Sequence, residues 1–307
     1  MTSRSFHIEA PDGRRIAVWR DAPENPCRGP VVICGGFARR MSSMSSVAAY
    51  ALNNGAVVYR FDSLDHIGLS DGVIADFSLT SMQESLDATL ALVAELEERR
   101  PISLIATSLA AAPGIRSAVD NPHVAALACL VGVVDVRRTL ERVFGVDYYA
   151  WEYEQLPQNV RFERYDIDPH KLWLEHRHAR WADFSQVKAA LSQLTIPIVN
   201  LVASEDQWLT MDEVSEAFAA PGGGQRDIVE LPYGGHELAR NPVAVRLALR
   251  HIMARILCDG DLDAVVEPGF DEIGDLRVAD RQRARIPLTG LQQKSRMTEA
   301  KAFVTEL

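Results

Sequence analysis

Three side chains in this sequence, Ser108, Asp206 and His236, could together activate a hydroxyl group for attack on a carbonyl carbon. A serine hydroxyl is a poor nucleophile until an imidazole accepts its proton, and the imidazole needs a carboxylate that fixes its tautomer. Each of the three follows a short apolar run, as expected where buried strands end. The set predicts acyl transfer through a serine nucleophile.

Ser108 lies between an apolar run, residues 102–106, and an alanine-rich segment that is typical of a helix start. Small residues, Ala106 and Ala110, stand two positions before and after it. A tight strand-to-helix turn leaves no room for bulk at those positions, where Gly-x-Ser-x-Gly is usual. The alternative is a serine that only caps a helix, which Ala-x-Ser-x-Ala taken alone would favour.

The order of the three residues along the chain favours catalysis over that alternative. Asp206 follows the apolar run 197–202, and His236 follows a last predicted strand and two glycines. The order Ser, Asp, His is that of α/β-hydrolases and differs from other triad folds. Taken singly, Asp206 could be a solvated loop acid and His236 a helix N-terminal residue. Asp135, after another apolar run, is the alternative acid, but its strand comes earlier than is usual.

A glycine pair, residues 35–36, ends the apolar run 31–34 and allows a close backbone approach. We expect the backbone N–H groups of Phe37 and Leu109 to form the oxyanion hole, because such donors face the charge that develops on a carbonyl oxygen. The alternative is a plain glycine turn. His66 could line the pocket or hold a turn.

The elements that must position these residues alternate between strand and helix. The alternation predicts an α/β fold with a mostly parallel, doubly wound sheet, after an N-terminal β-hairpin. Residues 136–194 interrupt this alternation of strands and helices. They are too many for a connection of about 4 to 6 residues, so we expect a helical cap insertion there. The predicted core is 1–135 and 195–258, and residues 259–307 form a C-terminal extension along the surface or partly mobile. The clearest predicted strands are 31–34, 56–61, 102–106, 126–134, 197–202 and 227–231, and the clearest helices are 42–53 and 81–99.

The composition argues against several classes of partner and binding site. A net charge of −10 argues against a nucleic-acid partner, which usually needs a basic patch. We expect no membrane partner and a cytoplasmic protein, because no apolar run is long enough to span a bilayer and no signal peptide is visible. The four cysteines have no paired spacing, and no ligand set converges, so no disulfide framework, metal or other cofactor is expected.

Several stretches carry motifs more specific than the serine turn. Residues 35–41 read Gly-Gly-Phe-Ala-Arg-Arg-Met, and residues 60–70 read Arg-Phe-Asp-Ser-Leu-Asp-His-Ile-Gly-Leu-Ser. Together with residues 105–109, 131–137 and 144–148, they resemble the acyl-transferase subunit of the bacterial luminescence fatty-acid reductase. That family is myristoyl-specific, thioesterase-like and part of the α/β-hydrolase superfamily.

The resemblance is clear over roughly residues 30–150 and maps the family's acid and histidine onto Asp206 and His236. It implies that a fatty acyl group passes from a thioester, on coenzyme A or an acyl carrier protein, onto the serine and then to water or another acceptor. The cap has no clear match, so chain length does not carry over. Pro113 and Gly114 depart from the pattern, because poor helix formers so near Ser108 could reshape the turn.

Two alternatives stay open at the level of the sequence. One is an enzyme with the same three residues that acts on a carrier-bound polyketide or another ester in a biosynthetic pathway. The other is a catalytically silent α/β-hydrolase scaffold that serves as a binding protein. The sequence indicates no oligomeric state.

Overall fold

The strands form one mixed sheet and a separate two-stranded hairpin. The computed structural model describes residues 1–287 and the backbone of residues 292–293, and within those residues the sheet has nine strands. The strands, hairpin included, are β1 (Thr2–Glu9), β2 (Arg15–Ala22), β3 (Val31–Cys34), β4 (Val58–Phe61), β5 (Ile102–Thr107), β6 (Val124–Leu130), β7 (Val160–Phe162), β8 (Tyr165–Ile167), β9 (Ile198–Ala203), β10 (Arg226–Leu231) and β11 (Gln292–Gln293).

The sheet is mostly parallel. Its strand order is β10-β9-β6-β5-β3-β4-β2-β1-β11, and the neighbours from β10 to β4 all run parallel. Strand β2 runs antiparallel to both β4 and β1, so the predicted N-terminal hairpin is confirmed at one side of the sheet. Every residue of β3, β4, β5 and β9 is buried, as expected of strands covered on both faces. The predicted doubly wound sheet is confirmed.

Helices cover both faces of this sheet. Several begin at a polar side chain that accepts a backbone N–H, as Ser78 does from Ser81 at 3.0 Å. Within the described residues none is both long and apolar enough to cross a bilayer. The helices are α1 (Ser45–Asn53), α2 (Leu79–Leu96), α3 (Ala111–Asp120), α4 (Val136–Phe144), α5 (Pro169–Ala179), α6 (Phe184–Gln193), α7 (Met211–Phe218), α8 (Pro242–Leu257) and α9 (Phe270–Arg283).

One predicted strand is too long. The apolar run 126–134 suggested a strand to residue 134, but β6 ends at Leu130. Val131 has φ 46°, a left-handed conformation that turns the chain away from the sheet. The next residues serve the serine turn instead, because the Val133 amide donates to the Ser108 carbonyl oxygen at 3.0 Å.

Residues 136–194 lie between β6 and β9 and contain α4, the β7–β8 hairpin, α5 and α6. The hairpin was not predicted, because strands of three residues are too short for a readable alternation. Its register pairs Phe162 with Tyr165 across a two-residue turn. The division into core, cap and extension stays a prediction.

Helix α9, beyond Cys258, was also not predicted, since its apolar residues do not recur at helical spacing. It packs against α1, and its Asp280 side chain is fully buried. Arg60 of β4 donates to Asp280 at 2.6 Å and to Asp21 of β2 at 2.6 Å, so this helix is anchored to the sheet. Residues 288–291 and 294–307 of the predicted extension lie outside the described residues, and of residues 292–293 the structure describes the backbone.

Candidate active site

Ser108 occupies a sharp turn between β5 and α3. Its φ of 52° is left-handed, a strained conformation for a residue other than glycine. The flanking Ala106 and Ala110 are fully buried. A Cβ atom added at Gly36 would lie 2.9 Å from the Ser108 Cβ atom and 2.5 Å from the Thr107 carbonyl oxygen. The turn therefore has the geometry of a nucleophile elbow, and its close contact with Gly36 leaves no room for a side chain at that glycine.

Pro113 and Gly114 do not disturb this turn. Pro113 is the third residue of α3, where an N–H group would have no partner within the helix, so its missing donor costs nothing. A Cβ atom at Gly114 would lie 3.0 Å from the Ala106 Cβ atom. The glycine thus lets α3 pack closely on β5, and the reshaped turn that the sequence suggested is not present.

The structure brings the three predicted side chains together. The Ser108 Oγ atom lies 2.7 Å from Nε2 of His236. The other ring nitrogen, Nδ1, lies 2.9 Å from Oδ2 and 3.1 Å from Oδ1 of Asp206. The side chains of His236 and Asp206 are 8% and 1% exposed, whereas Ser108 is partly exposed. A proton held between Oγ and Nε2 can therefore move while the carboxylate orients the ring.

The loops that carry these residues are held by local hydrogen bonds. Asp206, after β9, accepts the backbone N–H of Trp208 at 2.8 Å and that of Leu209 at 3.2 Å. The Trp208 ring stacks on the His236 ring, with centroids 4.3 Å apart. The stacking was not predicted, although Trp208 stands only two positions after the acid. Together these contacts restrict the imidazole to one orientation.

The alternative acid, Asp135, is used elsewhere. Its side chain caps α4 by accepting the Arg138 backbone N–H at 3.0 Å. The Arg138 guanidinium lies 3.6 Å from the same carboxylate. The contacts of Asp135 indicate a helix cap, and the acid that meets His236 is Asp206.

One predicted oxyanion donor belongs to the serine turn, and the other belongs to a loop bonded to it. Leu109 follows Ser108 directly, and Phe37 lies in the loop after β3, which the Gly36 amide ties to the Thr107 Oγ1 atom at 2.8 Å. Within the described residues, neither the Phe37 nor the Leu109 amide donates to a protein acceptor. This loop and the serine turn lie where the strand order reverses between β3 and β5, the usual place for a site in an open parallel sheet.

His66 supports the loop after β3 through a hydrogen bond. Its Nε2 atom accepts the Ala38 backbone N–H at 2.9 Å, which requires a neutral ring. Burial lowers the pKa of His66 to about 4, consistent with that role. Of the two roles open in the sequence, the structure assigns His66 the support of a turn.

Aromatic residues close the site on the side of the β7–β8 hairpin. Phe162 stacks on Phe37 with centroids 3.9 Å apart, and its centroid is 5.8 Å from that of Trp208. Phe162 was not predicted from the sequence, because its contacts are with residues far away along the chain. Elsewhere in residues 136–194, the Trp173 indole N–H donates to the Trp151 carbonyl oxygen at 2.9 Å.

Comparison with known proteins places this architecture in a family. Residues 4–287 match the family model described as acyl transferase. The chain belongs to this acyl transferase family. An acyl transferase from Photorhabdus luminescens is 32% identical over 281 residues, covering 88% of this chain and 90% of the relative. One from Photobacterium phosphoreum is 30% identical over 286 residues, covering 90% and 92%. The resemblance to an acyl-transferase family is confirmed.

Solved structures establish the fold of this chain. Est1E from Butyrivibrio proteoclasticus, with ferulic acid bound, superposes with a TM-score of 0.66 at 18% identity, covering 82% of this chain and 99% of that one. A monoacylglycerol lipase from Paleococcus ferrophilus superposes with a TM-score of 0.60 at 17% identity, covering 78% and 98%. At such identities the likeness concerns the fold alone, and the predicted α/β-hydrolase fold is confirmed.

Proposed function

We propose that this chain is a serine-dependent acyltransferase that takes an acyl group from a thioester onto Ser108 and passes it to water or another acceptor. The observation that carries the proposal is the chain of contacts from Ser108 Oγ to His236 Nε2 at 2.7 Å and from Nδ1 to Asp206 at 2.9 Å. An imidazole so placed can accept the hydroxyl proton, and a carboxylate so placed stabilises the imidazolium that forms.

The first half of the reaction loads the serine. Ser108 Oγ attacks the thioester carbonyl carbon, and its proton moves to His236 Nε2. The tetrahedral intermediate carries its negative charge on the former carbonyl oxygen, where the Phe37 and Leu109 amides donate. The carbon–sulfur bond then breaks, and the departing sulfur takes the proton from His236. The products are an acyl-serine and a free thiol.

The second half unloads the serine. An acceptor hydroxyl or water gives its proton to His236 Nε2 as its oxygen attacks the acyl-serine carbonyl carbon. The bond to Ser108 Oγ breaks, and that oxygen recovers the proton from the imidazole. The acceptor decides whether the outcome is hydrolysis or transfer.

Family membership supports an acyl group as the group that moves, and the resemblance noted in the sequence supports a thioester donor, on coenzyme A or an acyl carrier protein. The aromatic surroundings of Phe37 and Trp208 favour an apolar acyl group, because apolar pockets gain most from burying apolar surface.

Intact-mass analysis of the protein after exposure to acyl-coenzyme A and acyl-carrier thioesters of varied chain length tests the proposal. We expect a mass gain equal to one acyl group, absent in Ser108→Ala and present in Ser192→Ala, an exposed serine on α6 that serves as the matched control. Including β-keto and β-hydroxy acyl thioesters in the panel separates a fatty acyl donor from a polyketide-like one. A panel without any adduct, together with equal reactivity of wild type and Ser108→Ala towards a fluorophosphonate probe, would instead support a silent scaffold.

A further inference from the structure

Trp208 lies against the imidazole of the active site and is held there by its own backbone contacts. Its backbone N–H donates to Asp206 at 2.8 Å. Its carbonyl oxygen accepts hydrogen bonds from Thr139 Oγ1 and from the Arg142 guanidinium of α4, each at 3.0 Å. Its ring stacks on His236, with centroids 4.3 Å apart and an interplanar angle of 29°. The indole face is therefore fixed over the ring that must accept the serine proton.

That ring changes its charge during the proposed reaction. When His236 Nε2 accepts the proton of Ser108 Oγ, the ring becomes a cation, and it becomes neutral again when it gives this proton to the departing sulfur. The His236 side chain is only 8% exposed, so little water can solvate the charge. The face of an indole carries negative partial charge and attracts a cation more strongly when the pair is desolvated. The position of Trp208 thus favours the charged ring over the neutral one.

We infer that Trp208 stabilises the imidazolium form of His236 in the transition state, in addition to fixing the orientation of the ring. The inference rests on the proposed function, because it concerns the proton transfer that this function requires. Asp206 compensates the same charge at the edge of the ring, where it lies 2.9 Å from Nδ1, whereas Trp208 acts on the face. Removing the indole should therefore slow the acylation of Ser108 although the carboxylate remains.

Other charges also surround the imidazole, and within the described part of the chain they come from three segments. Asp206 follows β9, and the Glu163 carboxylate of the β7–β8 turn attracts the imidazolium electrostatically. Glu163 is 18% exposed and lies 4.0 Å from Arg39. Glu237, the residue after the histidine, pairs with Arg240 at 2.7 Å. Burial raises the pKa of Glu163, but its titration is common to every variant below and cancels in a ratio of rates.

The pH dependence of Ser108 acylation tests the inference. The quantity measured is the second-order rate constant for acylation by the acyl-coenzyme A thioester that reacts fastest with wild type, followed by intact mass. At the pH values where the free imidazole is neutral, we expect Trp208→Leu to lower this rate constant by about tenfold, the size of a desolvated cation–π interaction.

The loss should shrink as the pH falls. At low pH the imidazole of the free protein is already protonated, so the indole stabilises the ground state as much as the transition state. The ratio of the wild-type rate constant to that of Trp208→Leu should then approach one. A tryptophan that only orients the ring would instead cause the same loss at every pH.

Trp173→Leu is the matched control. Trp173 is also a half-buried indole, but its ring contacts Tyr153 and the Arg177 guanidinium, at centroid distances of 5.6 Å and 4.4 Å. We expect this variant to acylate at the wild-type rate at every pH. If Trp208→Leu does not fold, Trp208→Phe provides the test, because it keeps a weaker aromatic face and should show a smaller loss with the same pH trend.

Each outcome decides the inference. A loss that is confined to the Trp208 variants and disappears at low pH supports it. A loss that does not depend on pH, no loss, or an equal loss in Trp173→Leu overturns it. Failure of the wild type to acylate with any thioester would reject the proposed function itself, and this inference with it.

Discussion

Two buried polar networks in this molecule can be compared, and only one of them contains a reactive atom. At the active site, Asp206 and His236 are almost fully buried but end at Ser108, which is partly exposed and strained. At the second network, Arg60 lies fully buried between Asp21 and Asp280 and presents no atom to solvent.

The difference lies in what each network joins. The second network balances two arginines against two aspartates. Arg283 pairs with the same carboxylates as Arg60, with Asp21 at 2.9 Å and with Asp280 at 2.5 Å. It connects residues 220 positions apart and holds α9 on the sheet. The active site joins three loops at strand ends and leaves a proton free to move. Changes in the network around Arg60 should therefore affect stability, and changes at the active site should affect turnover.

The largest effect that this comparison predicts is on turnover. Ser108→Ala removes the nucleophile, so we expect kcat to fall by about 10⁶-fold, as in other serine enzymes that lose theirs. The melting temperature should change little, because the side chain is small and partly exposed. Steady-state kinetics on an aryl ester and a thermal melt measure the two quantities. Residual activity close to that of wild type would place the nucleophile elsewhere.

Asp206→Asn should have the next largest effect. An asparagine keeps the shape but favours the wrong imidazole tautomer, so a loss of about 10⁴-fold in kcat is expected with the fold intact. Asp135→Asn is the matched control, because Asp135 is a buried carboxylate that caps α4. The same kinetic assay decides between them. A large loss for Asp135→Asn and none for Asp206→Asn would reverse the assignment.

The second network predicts a loss of stability without a loss of turnover. Arg60→Met leaves two buried aspartates with less compensation, and breaking such a pair costs about 3–5 kcal/mol. Arg161→Met, which removes a pair with Asp166 that is 60% exposed on both sides, should cost at most about 1 kcal/mol. Urea unfolding gives both values, and kcat per folded molecule should match wild type. Equal stability of the two variants would show that the buried network does not hold α9.

The parts of this molecule that could be predicted from the sequence depend on residues that are close together along the chain. Strand β3 coincides with the apolar run 31–34, and the small residues around Ser108 follow from one tight turn. Asp206 and His236 were found because strand ends share one edge of a parallel sheet.

What could not be predicted depends on contacts between distant segments. Helix α9 has no readable periodicity, and Arg60 looks like any strand residue until Asp280 reaches it. Phe162 belongs to a strand of three residues, and its partners Phe37 and Trp208 lie far away along the chain. No local pattern marks such residues, because their environment is set by packing.

The smallest predicted effect concerns the two histidines near the serine turn, one of which must accept a proton while the other must not. His66 has a folded pKa of about 4 against 6.5 for the unfolded chain. As pH falls from 6.5 to 4, the unfolded state takes up this proton first, so the group's contribution to stability is lost over that window, by about 3 kcal/mol. His66→Gln keeps an acceptor for the Ala38 amide but cannot titrate. The difference in unfolding free energy between wild type and His66→Gln should therefore move in favour of the variant by that amount between pH 7 and pH 4.

Asp62, whose pKa burial raises to about 6, acts in the opposite direction but is present in both proteins and cancels. A difference that does not vary with pH would show that the pKa of His66 is the same in the folded and unfolded states, and its hydrogen bond from Ala38 would have to be reassigned.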